Sequence, residues 1–229
     1  MSNGIISKDR VKEHGEVFTP DNIVNDMLDL LDNKDYSSIF DKTYLEPSCG
    51  DGQFLVRILF RKMKVIENMP INEREVNLLK ALSTIYGIDI QYDNVLNSID
   101  RLFRLATGQD VETFTVDGTT TISGINLGIE YTDILTNCIR TILENNIICG
   151  NALTGNLVDG GVESTKAPII IREYKFNGDE VSVYSYKFDD LNNPVEITKN
   201  FHYLDLYKMI VRKSVSEAEA EDEAGTDDF

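Results

Sequence analysis

The sequence predicts an α/β protein with a partial parallel sheet over residues 1–153, followed by a β-hairpin and a helix over residues 154–213. Between Thr43 and Phe103, short apolar runs alternate with amphipathic helical stretches, the pattern of a parallel sheet with crossover helices. A doubly glycine-punctuated turn, Leu45-Glu-Pro-Ser-Cys-Gly-Asp-Gly-Gln-Phe-Leu55, joins the first run to a helix. After Gly150 the composition changes. Ile169 to Phe176 and Val181 to Phe188 are β-rich and flank Asn177-Gly178, a strong hairpin signal.

The first helix starts at Thr19-Pro20-Asp21-Asn22, with Thr as cap, Pro at the first helical position and an acid in the first turn. Ile23, Val24, Met27, Leu28 and Leu31 then recur with helical period. Thr43 to Leu45 is a short strand that delivers Glu46. The helix after the glycine turn shows Phe54, Leu55, Ile58 and Leu59 on one face and Arg57, Arg61, Lys62 and Lys64 on the other. That second face is the densest basic surface expected. A further helix is predicted over about Asn72 to Leu82, and Thr84 to Ile90 reads as a buried strand ending in an acid. Val95, Leu96, Ile99, Leu102 and Phe103 mark another amphipathic helix. Residues 106–130, rich in Thr and Gly, read as a loop or small insertion. A helix over about Tyr131 to Leu143 leads to the strand Asn146 to Gly150, and a last helix is expected from Phe201 to Lys213. The segment Ser214 to Phe229 has seven acids and no Lys or Arg, which reads as a disordered acidic tail.

The glycine turn points to a ligand site, because a strand, a tight glycine loop and a helix start let the backbone approach a ligand closely. Its spacing is neither the dinucleotide G-x-G-x-x-G nor a phosphate loop with G-K-[ST]. Glu46, just ahead of the loop, would repel phosphate and suits a cation instead.

Taken with its flanking segments, this turn resembles the cofactor loop of the class I S-adenosylmethionine-dependent N6-adenine DNA methyltransferases, enzymes of restriction–modification type. Gly15-Glu-Val-Phe-Thr-Pro20 is similar to the family's N-terminal cofactor motif, and Gly150-Asn151-Ala152-Leu153 stands where the family contacts the cofactor's adenine. The resemblance covers residues 14 to 153 and implies a Rossmann-like core that binds S-adenosylmethionine through Phe18, Thr19, Glu46, Pro47, Ser48, Gly50, Gly52, Asp89, Ile90, Asn151 and Ala152. In that scheme Thr19 takes the methionine carboxylate at a helix N-terminus. Glu46 takes the ammonium group and Asp89 the ribose hydroxyls. Asn151 stands where the family has Asp, and its amide oxygen can still accept one hydrogen bond.

The family's catalytic motif, [D/N/S]-P-P-[Y/F/W], is absent. Pro20, Pro47, Pro70, Pro168 and Pro194 are all followed by something other than Pro. The nearest substitute, Asn193-Pro194, lacks the second proline and the stacking aromatic that would hold a flipped adenine, and reads as an Asn-Pro turn. Tyr174, Tyr184 and Tyr186 interleave with Lys175 and Lys187 as on an alternating strand face. The formal charge of −17 opposes duplex binding, which needs Lys and Arg to displace phosphate counterions. Cys49, Cys138 and Cys149 show no metal spacing and read as free thiols of a reducing cytoplasm. With only His14 and His202, no metal site is expected, and no apolar run approaches a membrane span. Two functions stay open. One is an adenine-specific DNA methyltransferase of reduced form, active alone or with a protein partner that supplies the missing strand and recognition domain. The other is a non-enzymatic binding or anti-restriction module on the same fold.

Overall fold

The computed structural model describes residues 19–32, 35–109, 113–116, 119–122 and 125–209. Phe18, the acidic segment from Ser214 and the end of the expected last helix lie outside them.

Helix α1 (Asp21–Asp32) leads through a 3-10 turn, Tyr36–Ile39, to strand β1 (Tyr44–Glu46). Helices α2 (Gln53–Ile66) and α3 (Ile71–Ser83) then precede β2 (Ile85–Asp89). Helix α4 (Tyr92–Thr107), a small hairpin of β3 (Thr113–Val116) and β4 (Thr119–Ile122), and α5 (Asp133–Asn146) lead to β5 (Ile147–Asn151). The order β1-β2-β5 is parallel throughout, as the strand–helix alternation requires. Two strands not anticipated from sequence, β6 (Asn156–Asp159) and β7 (Val162–Pro168), extend the same sheet antiparallel beyond β5. The result is an α/β architecture on a mixed sheet.

The expected hairpin forms between β8 (Ile170–Asn177) and β9 (Glu180–Lys187), turning at Gly178-Asp179. The expected helix from Phe201 does not. Its first residues belong to β10 (Asp190–His202), and a 3-10 turn, Tyr203–Lys208, follows. The ladder with β9, pairing Ile197 with Tyr184, Thr198 with Val183 and Phe201 with Val181, overrides the helical spacing of the apolar residues. Asn193 and Pro194 are therefore not a free turn. They lie exposed on β10, where the register shifts on both sides of Pro194, at the edge of a three-stranded antiparallel sheet. An edge strand is where a strand tolerates a residue with no N–H to donate. This sheet docks onto the body through the Tyr86 hydroxyl, which donates to the Arg172 carbonyl, and the Tyr203 hydroxyl, which donates to Glu75 at 2.8 Å.

Helix α2 is central. Leu55, Val56, Leu59, Met63 and Ile66 are fully buried, and so are three of the four basic residues expected on its outer face. Arg61 pairs with Asp29 of α1 at 2.7 Å. The Lys62 ammonium reaches the carbonyls of Phe40 and Lys42 at 2.8 and 2.7 Å and the Thr84 hydroxyl at 2.7 Å. Arg61 and Lys62 thus tie α1 and the connections around β1 to the helix, and of the four cations only Lys64 keeps a partly exposed side chain. Periodicity did not reveal this because α1, the 3-10 turn and α4 cover α2 from more than one side.

Burial pushes the Lys62 ammonium down to about 7, against the pull of Asp41. Its ordinary value is higher, so between these limits the unfolded chain holds the extra proton and stability rises with pH. Lys62→Met is expected to cost about 2–4 kcal/mol at neutral pH, because two buried carbonyls lose their donor. The deficit should widen as pH is raised from 7 towards 10. Urea unfolding of both proteins across that range checks it; an unchanged difference would contradict the assignment.

Candidate cofactor site

Three parallel strands end side by side, and each ends in a polar residue predicted for the site. Glu46 closes β1 and Asp89 closes β2, while Asn151 closes β5. With strands about 4.8 Å apart, the three positions span on the order of 10 Å of the sheet's carboxyl edge, the side on which open α/β sheets bind ligands.

The loop from Pro47 to Gly52 folds over this edge. Gly50 and Gly52 have φ of +54° and +86°, left-handed values that side chains disfavour. A Cβ on Gly52 would stand 2.9 Å from the Ser98 hydroxyl oxygen. One on Gly87 would meet a methyl of Leu55 at 2.7 Å, so β2 can lie this close to α2 only without a side chain there. The loop is braced from two elements. The Gly50 N–H donates to Asp89 at 2.8 Å, and the Gly50 carbonyl accepts from the Ser98 hydroxyl at 2.9 Å. Arg101 donates to the Asp51 carbonyl at 2.8 Å and pairs with the Asp51 carboxylate at 3.0 Å.

Glu46 is half-buried and has no hydrogen bond or ion pair among the described residues; burial raises its pKa. A carboxylate held out of water without a cation is a favourable place for one to bind. Asp89 is differently placed. It is buried, and besides Gly50 it accepts from the Gln91 N–H at 2.9 Å and the Asn94 amide at 3.3 Å. Three of its roughly four acceptor positions are taken, so it shapes the loop first and has one position left for a ligand hydroxyl. Asn151 is also engaged: its amide oxygen accepts from the Leu153 N–H at 3.0 Å, and its amide nitrogen donates to Glu163 at 3.0 Å. Hydrogen bonds from Thr154, Asn156 and Asn151 hold Glu163 below the ordinary carboxylate range.

Ile90 is exposed beside Asp89, Pro47 and Ser48 are exposed on the loop, and Ala152 is partly exposed. Thr19 stands just ahead of α1, with no hydrogen bond to the loop among the described residues. Asn193 and Pro194 belong to the other sheet. Cys49, at the root of the loop, is no nucleophile: burial, with Asp89 and Glu46 nearby, pushes its thiol up to about 12. No cysteine is bonded to another. No cluster of three metal-ligating side chains occurs among the described residues, and no described helix is long and apolar enough to cross a membrane.

The sequence reading overlooked Asn94, Ser98 and Arg101, the polar stripe of α4 that faces the loop. Their spacing of four and then three residues, on the side of the helix opposite Val95, Ile99 and Phe103, was the available signal.

Comparison with known families agrees with this geometry. Residues 5–97 match the family model described as N-6 DNA methylase, so this segment, which carries Glu46, the glycine loop and Asp89, is of the N6-adenine DNA methyltransferase family. No curated protein and no solved structure matches the chain.

Gly52→Ala is expected to destabilise the protein by about 2 kcal/mol, from the left-handed backbone and the contact with Ser98. Ser98→Ala alone should cost about 1 kcal/mol. The double variant should lose less than the sum, since removing the hydroxyl relieves the clash. Denaturation of all four proteins gives this cycle, and strictly additive losses would show that the two residues do not meet.

Proposed function

We propose that this chain is the S-adenosylmethionine-binding part of an N6-adenine DNA methyltransferase, and that alone it transfers no methyl group. Glu46 carries this reading: a desolvated carboxylate without a described partner, at the end of β1 and beside a pre-braced glycine loop. The ammonium of the cofactor's methionine moiety would pair with it. The methionine carboxylate would go to Thr19 at the start of α1. The last acceptor position of Asp89 would take a ribose hydroxyl, and the adenine amino group would approach Asn151. Residues 1–153 would form the binding domain, a Rossmann-like core of class I type, and residues 154–213 an extension of it.

The rest of the enzyme would come from a protein partner. Among the described strands β1 pairs only with β2, so one edge of the parallel sheet is open next to Glu46. A strand entering parallel to β1 would create the reversal of strand order at which doubly wound sheets bind ligands. It would also bring a Pro-Pro-aromatic motif to the cofactor. Ile23, Met27, Leu30 and Leu31 on α1 and Leu45 on β1, all exposed, would give that partner an apolar surface.

A second reading, a non-enzymatic binding or anti-restriction module on the same fold, draws on the position of Asn193 and Pro194. They lie on an antiparallel edge strand, so no described segment supplies acceptors for an adenine amino group. Duplex DNA would bind the isolated chain weakly at best under either reading, because three of the four basic residues of α2 are buried and the chain carries −17.

Calorimetry with S-adenosylmethionine is expected to show one saturable site. Glu46→Gln should weaken it by about 1.5–3 kcal/mol, the worth of a hydrogen bond to a charged group. Absence of saturation at millimolar cofactor would end the proposal. In a tritiated-methyl assay the isolated chain should leave DNA unlabelled. Labelled adenine would refute the dependence on a partner and make Asn193-Pro194 the first place to mutate.

A further inference from the structure

Glu163 is not among the residues predicted for the site, yet its side chain reaches the end of β5 from β7. Its carboxylate accepts from the Asn151 amide at 3.0 Å and from the Asn156 amide at 2.9 Å. The strand register sets these groups beside the rest of the site. Glu46 pairs with Gly87, Asp89 with Cys149 and Asn151 with Asn156. Paired residues share a face of the sheet, and so do residues two apart on one strand. Glu46, Asp89, Asn151 and Asn156 therefore stand on one face, and Glu163 meets two of them there.

The orientation of Asn151 follows from its neighbours. The Leu153 N–H can only donate, so the Asn151 amide oxygen faces it at 3.0 Å and the amide nitrogen is left for Glu163. An Asp at this position, as in the family, would set two carboxylates across the 3.0 Å that the hydrogen bond now spans. Like charges that close cannot both stay ionised. Asn at position 151 and Glu at position 163 are thus one feature: the negative acceptor sits on β7, and the amide on β5 donates to it. Hydrogen bonds from Thr154, Asn156 and Asn151 keep Glu163 ionised. Of its roughly four acceptor positions, one is left.

We infer that Glu163 accepts the amino group of the cofactor's adenine, and that Asn151 is the donor that positions it. This deepens the cofactor reading and rests on it. The Asn151 amide oxygen is neutral and already engaged with Leu153, whereas a hydrogen bond to an ionised acceptor is roughly twice as strong. The consequence is selectivity at the 6-position of the purine. An amino group there donates to the carboxylate. A 6-oxo group would set an oxygen against it and leave the carboxylate without its donor.

The test compares S-adenosylhomocysteine with its 6-oxo counterpart, S-inosylhomocysteine, by calorimetry. The wild type should prefer the adenine compound by about ten- to hundredfold, the worth of a hydrogen bond to a charged acceptor. Glu163→Gln should bring the ratio close to unity, since a neutral amide can turn to pair with either group. Asn151→Asp alone should melt below the wild type. The double variant, Asn151→Asp with Glu163→Gln, exchanges acid and amide between the strands and should recover both the melting temperature and the preference. A Glu163 that only supports the fold would weaken both ligands alike and leave the ratio in Glu163→Gln unchanged. That result, a wild type without preference, or a double variant no more selective than Glu163→Gln overturns the inference while the cofactor reading stands. If neither compound nor S-adenosylmethionine saturates the protein at millimolar concentration, the cofactor reading fails and the inference with it.

Discussion

The peptide groups of Gly50 are held from both sides, and the geometry of the candidate site follows from that. Asp89 accepts from the N–H and Ser98 donates to the carbonyl, so β2 and α4 together fix a loop whose left-handed glycines would otherwise leave it free. Because Asp89 ends β2, the loop is registered against the sheet. Ser98 and Arg101 also lie on the helix that follows β2, so one βα unit braces the loop of the preceding one. Glu46 is thereby left half-buried at the sheet edge, where its carboxylate meets no described cation. A site built this way is organised before any ligand arrives, which lowers the ordering cost of binding.

The same structure separates the protein's charge from its function. Lys62, Arg57 and Arg61 are inside, Lys62 and Arg61 joining α2 to its neighbours, while the chain as a whole carries −17. Cations that grip duplex DNA are spent on phosphates; Arg61 and Lys62 instead bind Asp29 and the carbonyls of Phe40 and Lys42. Among the described strands β1 pairs only with β2, on the side of the candidate site where Glu46 ends its strand.

The parallel core was legible because its signals are local. The Thr-Pro helix start, the glycine turn and the acids closing two strands each depend on a few neighbouring residues, and α1, α3, α4 and β2 fall close to where they were expected. Elements decided by distant pairing were not legible. β6 and β7 join the sheet through β5, and β10 takes its register from β9, so Phe201 reads as helical until its partner Val181 is known. The fate of a basic residue was equally hidden. Lys62 and Lys64 lie two positions apart on one helix, yet Lys62 is fully buried and Lys64 is substantially exposed. Within the site, Glu46 and Asp89 were visible as strand-ending acids. That Asp89 spends most of its acceptors on the protein itself follows only from the closeness of the loop.

The central claim is that the cofactor is held at this loop. The most direct measurement is a two-dimensional amide NMR titration with S-adenosylmethionine that follows Gly50, Gly52 and Gln91, the amides on and around the loop. Saturable shifts centred on these three are the expected result. Unchanged Gly50 and Gly52 resonances at saturating cofactor would contradict the account.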